Sequence, residues 1–113
     1  MDATTADHRW FVGCMTGTSL DGLDAAVVNV SGRGDRMRAE LVRHIAYPLP
    51  EPLVDAIAPL TRGEPVAALH VLRTARHLGV VHAEAVGALL AESTVPRDRI
   101  DSVICHGQTV WHT

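Results

Sequence analysis

No apolar run in this chain approaches the ~20 residues that a membrane-spanning helix requires. Nor does it open on a basic segment followed by an apolar one: Met1 to Arg9 is polar and mildly acidic. Neither a bilayer span nor a secretory leader is therefore expected, and the cytoplasm is the expected compartment. An excess of basic residues is also missing. The formal net charge is -3, with no basic stripe, so the chain lacks the electrostatic footprint of a nucleic-acid binder. Cysteine is scarce. Cys14 and Cys105 each lie within an apolar stretch, so they are expected as buried thiols rather than as a disulfide. The Walker A pattern Gly-x4-Gly-Lys-Ser/Thr occurs nowhere, and there are no internal repeats or low-complexity segments.

What is present is the composition of one globular domain. The chain has 113 residues, 47% of them hydrophobic and 20% charged. A domain of this length buries roughly two-thirds of its unfolded surface, enough for a core. Residues 1–9 are expected to be a disordered tail. Trp10 to Met15 is a short apolar run that reads as a buried strand. Thr16 to Gly22 is dense in turn residues, and Leu23 to Val30 reads as a second strand. Ser31-Gly32-Arg33-Gly34-Asp35 is a turn, and Arg38 to Tyr47 reads as a third strand. Short turns between three strands make an antiparallel meander. Pro48 and Pro50 end it. Glu51 to Leu60 reads as a short helix, with Leu53, Ile57 and Leu60 at helical spacing and Pro52 tolerated in the first turn.

A long helix is expected from about Pro65 to Glu92. Its apolar positions Leu69, Leu72, Leu78, Ala83, Val86, Leu89 and Leu90 predict burial on a broad face. His70, His77 and His82 on this helix lack i,i+4 spacing and are expected at or near the surface rather than on a metal. Ser102 to Cys105 is a last short strand delivering His106 to His112. The predicted order is β-β-β-α-α-β, an α/β fold, whose ligand loops would lie at the C-terminal ends of strands. Trp10 and Trp111 are expected as core or rim packing. A strand-end loop with no following helix leaves one sheet face uncovered, which points to a truncated lobe.

Two segments carry candidate chemistry. In Gly17-Thr18-Ser19-Leu20-Asp21-Gly22 the glycines let the backbone turn sharply and approach a ligand, and successive N–H groups in such a turn can cradle an anion. Thr18 and Ser19 add hydroxyl donors, while Asp21 and Asp24 could hold a metal through water or orient a nucleophile. A plain Gly/Asp hairpin turn needs less. In His106-Gly107-Gln108-Thr109, His106 could act as a base or contact a sugar hydroxyl. Gln108 offers both a donor and an acceptor. A polar loop capping a strand is the simpler alternative.

FVGCMTGTSLDGLD, Phe11 to Asp24, resembles the opening of anhydro-N-acetylmuramic acid kinases. VICHGQTVWH, Val103 to His112, resembles a second segment of the same family. The helix between them, from Leu78-Gly79 to Leu90, is similar as well. The resemblance implies the actin-like ATPase and sugar kinase superfamily, and hence a two-lobed RNase H-like fold of which residues 10–113 would be part of the N-terminal lobe. It implies ATP and Mg2+ as cofactors and 1,6-anhydro-N-acetylmuramic acid as substrate. In this reaction the anhydro bridge is opened with water and the 6-oxygen phosphorylated, as part of peptidoglycan recycling. By resemblance, Gly17, Thr18, Ser19, Leu20, Asp21, Gly22, Leu23 and Asp24 match the ATP-binding segment. His106, Gly107, Gln108 and Thr109 match the loop near the sugar.

Thr16 stands where relatives usually have Ser, which keeps the hydroxyl. The resemblance places the catalytic Asp beyond residue 113, so no catalytic residue is expected in this chain and no Mg2+ ligand is assigned. A homodimer is a possibility for the full-length protein. Three rivals remain: a serine hydrolase using Ser19 and His106, a non-catalytic nucleotide-binding remnant, and another sugar kinase of the superfamily. Against the first, the Gly17 loop lacks the final Gly of a G-x-S-x-G elbow.

Overall fold

The structure, a computed structural model, describes residues 7–17 and 19–111. Strands β1 (Arg9–Thr16), β2 (Leu23–Ser31) and β3 (Arg38–Tyr47) come first. Helices α1 (Glu51–Thr61) and α2 (Ala68–Glu92) follow, then strand β4 (Ser102–Cys105). The sheet order is β3-β2-β1-β4. β1, β2 and β3 form the expected antiparallel meander, and β4 joins β1 in parallel. The chain is thus a mixed α/β fold with a four-stranded sheet and two helices.

Alternation decides which face is buried. Val12, Cys14 and Thr16 of β1 point the same way as Leu23, Ala25, Val27 and Asn29 of β2, and all are buried. The helices close this face with Leu53 and Ile57 from α1 and Val81, Ala85 and Leu89 from α2. Full burial of a Leu, Ile or Val side chain stabilises by roughly 1.5–3 kcal/mol. Seven such side chains, Leu23, Leu53, Ile57, Leu89, Val12, Val27 and Val81, are buried to within 2% of their surface, so they dominate the favourable side.

α1 carries Pro52 in its first turn, where no intrahelical N–H bond is lost. It ends in a Schellman motif: Gly63 N–H donates to Leu60 O (3.2 Å) and Glu64 N–H to Pro59 O (3.0 Å). Gly63 supplies the positive φ of +69° that this cap requires.

Several details differ from what the sequence predicts. α2 begins at Ala68 rather than near Pro65; residue 67, the N-cap, is extended and provides no side-chain cap. Leu69, Leu72 and Ala83, expected on the buried face, are exposed, because the core stripe of α2 runs through Thr74, Val81, His82, Ala85 and Leu89. His82, expected near the surface, is only 8% exposed. It follows Val81 on the sheet-facing side, and its Nδ1–H donates to Leu78 O at 2.8 Å. Cys105, expected to be buried, is exposed, whereas Cys14 is buried; both are free thiols. Of the expected N-terminal tail, residues 1–6 lie outside the described residues. Arg9 already belongs to β1, and Asp7 accepts a hydrogen bond from Gly32 N–H (2.8 Å). No helix among the described residues is long and apolar enough to cross a membrane.

Candidate functional site

Because β1 and β4 are parallel, their C-terminal ends lie side by side, and each delivers one of the two candidate segments. The strand ends are locked together before the loops begin. His106 N–H donates to Cys14 O (3.0 Å) at this edge, and Asp101 N–H to Trp10 O (2.8 Å) at the opposite one. Beyond the strands, the Thr16 hydroxyl donates to Gly107 O (3.3 Å), and Gln108 Nε2 donates to Gly17 O (3.3 Å). Segments 91 residues apart in sequence thus form one surface at the rim of the sheet.

The Gly17 loop is a tight turn closed by Leu20 N–H to Gly17 O (3.3 Å). Leu20 sits at φ +58°, a left-handed conformation uncommon for a residue other than Gly, Asn or Asp. Its side chain packs on the core, which holds it there. Ser19 and Asp21 are exposed on the rim, with the Ser19 hydroxyl donating to Asp21 Oδ1 (2.9 Å). Gly22 lies close to Tyr47 O, so an added Cβ would be in tight contact there. Thr18 lies outside the described residues.

Leu23 is fully buried, so its side chain supports the loop from the core. Asp24 points to the sheet face away from the helices, beside Met15, and pairs with His44 Nε2 at 2.9 Å. It therefore stands apart from Ser19 and Asp21.

On the second segment, His106 is exposed and its Nδ1 lies 3.3 Å from the Gly107 carbonyl. Gly107 adopts φ +84°, a backbone state that a Cβ would strain. Gln108 is half-buried; its Nε2 also donates to Thr109 O (2.9 Å), while its Oε1 is buried with no hydrogen-bond partner among the described residues. A buried acceptor left open beside a rim of hydroxyl and amide groups is suited to an incoming donor such as a sugar hydroxyl or amide. The sequence does not single out Thr16 for binding, yet its hydroxyl bridges the two segments. A hydroxyl residue at the last position of a strand feeding a glycine loop is the signal for it.

Electrostatics add one feature behind the loops. Cys14 and Cys105 are register partners across β1 and β4. Burial, followed by the neighbouring Cys105 thiol and its hydrogen bond, pushes the Cys14 thiol up to about 11, so Cys14 is held as a neutral thiol.

Residues 9–113 match the family described as anhydro-N-acetylmuramic acid kinase. This chain belongs to that family. Among curated proteins it is similar to an anhydro-N-acetylmuramic acid kinase of Acaryochloris marina (strain MBIC 11017), with 37% identity over 101 residues. That match covers 89% of this chain and 26% of the relative, so the chain spans about a quarter of the relative's length. In this member of the anhydro-N-acetylmuramic acid kinase family, the Gly17 and His106 segments meet as one rim. A loop of turn glycines, a hydroxyl and a carboxylate stands beside a polar loop.

Proposed function

We propose that these residues form the loop-bearing part of an ATP-dependent kinase that opens 1,6-anhydro-N-acetylmuramic acid with water and phosphorylates it to N-acetylmuramic acid 6-phosphate. Residues 10–113 would be part of an N-terminal RNase H-like lobe, a reading supported by the antiparallel β1–β2–β3 meander flanked by the parallel β4. The work of the enzyme would lie in the cytoplasm, on sugar recovered from peptidoglycan.

The observation that carries the reading is the physical coupling of the two family segments through Gln108 to Gly17 and Thr16 to Gly107. It supports a nucleotide on the Gly17 side and sugar on the His106 side of one rim. Ser19 and the loop amides would face phosphate oxygens. Asp21 by itself would repel them; it is the rim carboxylate that would hold a divalent cation such as Mg2+, which would supply charge neutralisation for the transferring group. Gln108 would orient the sugar through its open Oε1, and His106 would line the same side.

The deciding experiment is an ATP-consumption assay of the intact protein with the anhydro sugar, paired with Gln108→Ala. Phosphorylated N-acetylmuramic acid is expected as product. Loss of a hydrogen bond worth ~1 kcal/mol or more predicts that Gln108→Ala lowers kcat/KM for the sugar about fivefold or more. Turnover of glucose but not of the anhydro sugar would assign another sugar kinase activity. ATP binding without turnover of any sugar would assign a non-catalytic nucleotide-binding protein.

A further inference from the structure

The fold sets the two cysteines of this chain side by side, although most of the sequence lies between them. Cys14 and Cys105 are the last register pair of the parallel β1–β4 ladder. Neighbouring strands run about 4.7–4.9 Å apart, and a disulfide needs Cα atoms roughly 4.4–6.8 Å apart, so the spacing of adjacent strands admits a bridge. Direction agrees with spacing. Cys14 lies on the helix-covered face with Val12 and Thr16, and its register partner shares that face. The strands are fixed at this point, because His106 N–H donates to Cys14 O (3.0 Å). The side chains are also near, since the Cys105 thiol acts on the ionisation of Cys14. Both thiols are free.

The two differ in access. Cys14 is 4% exposed, whereas Cys105 is exposed. Burial first, then Cys105, keeps Cys14 protonated at neutral pH, and a thiol meets oxidants as its thiolate. An oxidant therefore reaches Cys105 first and Cys14 only afterwards.

We propose that Cys14 and Cys105 form a peroxide-sensitive dithiol that closes reversibly to a disulfide between β1 and β4. In the first step the Cys105 sulfur attacks one oxygen of a hydroperoxide. The O–O bond breaks, Cys105 becomes a sulfenic acid, and the other oxygen leaves with the thiol proton, as water when the oxidant is hydrogen peroxide. In the second step the Cys14 sulfur attacks the Cys105 sulfur. The S–O bond breaks, the S–S bond forms, and hydroxide leaves as water with the Cys14 proton. The two sulfurs lose two electrons between them, and the peroxide gains them. Disulfides in reducing compartments are transient and redox-sensing rather than structural, and exposed ones are readily reduced, so a thiol reductant reopens the bridge. The bridge would lie directly before His106 on β4 and shortly before Thr16 on β1, at the strand ends that carry both loops of the rim. None of this depends on the kinase reading.

The test uses the intact, reduced protein and hydrogen peroxide. Remaining thiols are blocked with a maleimide, and a digest made without reductant is mapped by mass spectrometry. The expected result is loss of both free thiols together, with the Cys14 and Cys105 peptides linked within one molecule and released by dithiothreitol. In Cys14→Ala the reaction is expected to stop at the Cys105 sulfenic acid, trapped by dimedone. In Cys105→Ser, Cys14 is expected to keep its thiol. The wild-type map stands by itself should either variant fail to fold. The proposal is overturned if both thiols of the native wild type survive peroxide that fully oxidises free glutathione. It is overturned as well if Cys105 passes to sulfinic acid with no link to Cys14, or if the link joins two molecules and disappears on dilution. Oxidation of Cys14 in Cys105→Ser as fast as in wild type would also overturn it.

Discussion

Single residues set the strain and the ionisation of this fold. Gly63 closes α1 in a left-handed conformation with the ring of Trp111 against its Cα, where any Cβ would collide. Gly63→Ala therefore meets two penalties, the positive φ and the displaced indole. It is expected to cost about 1–3 kcal/mol, read as a lower urea midpoint with an accompanying change in tryptophan fluorescence. Trp111 itself is 61% exposed, which puts it on the rim rather than in the core. Cys14 makes a pH prediction. Its folded pKa, about 11, lies above the ordinary value of 9.0. The contribution of the neutral buried thiol is complete below pH 9 and is lost as pH rises towards 11, because the unfolded chain ionises first. Denaturation midpoints should fall as pH rises from about 9 to about 11, and Cys14→Val should remove part of that slope. The burial of Cys14, which lies within a short apolar run, was legible in the sequence. The exposure of Cys105 was not, because burial of a thiol depends on which part of the strand face a helix covers.

At the scale of elements, hydrophobic period and turn residues carried the prediction. The limits of β4 and the order of all six elements were readable because each apolar run is bounded by Gly, Pro, Asp or Ser. The long helix was the weakest point. Its apolar residues surround much of the axis, so periodicity alone did not pick the stripe through Val81, His82, Ala85 and Leu89. Packing on the sheet picked it. The start of α2 also lies later than its periodicity suggests. The chain stays extended at Ala67, which brings no capping side chain. Ala67→Asp should supply the missing acceptor to the first-turn amides and raise stability by about 1 kcal/mol, measurable by thermal or urea denaturation.

At the scale of the molecule, phosphoryl transfer needs several groups positioned at once around the transferring phosphate. On the proposed function, the two joined loops would supply one rim of such a site. Residues 1–113 on their own are thus expected to show no ADP release dependent on both ATP and the anhydro sugar. A coupled-enzyme signal above background with this segment alone would overturn that expectation. The stretch from Gly17 to Asp24 reads as one unit in the sequence, but the fold divides it: Ser19 and Asp21 stand on the rim, Leu23 lies in the core, and Asp24 faces His44 on the opposite side of the sheet. Strand alternation separates Leu23 from Asp24, since adjacent residues of a strand point to opposite faces.

The local order of turns, strands and helices, and the two segments that mark the family, were determined by the sequence alone, because turn chemistry and hydrophobic period act over a few residues. The tertiary structure decided what those segments do to one another. Only the parallel docking of β4 on β1 brings Gln108 to Gly17 and Gly107 to Thr16. That contact spans 91 positions of sequence, and no local rule reaches so far; it arises from burying one continuous apolar face.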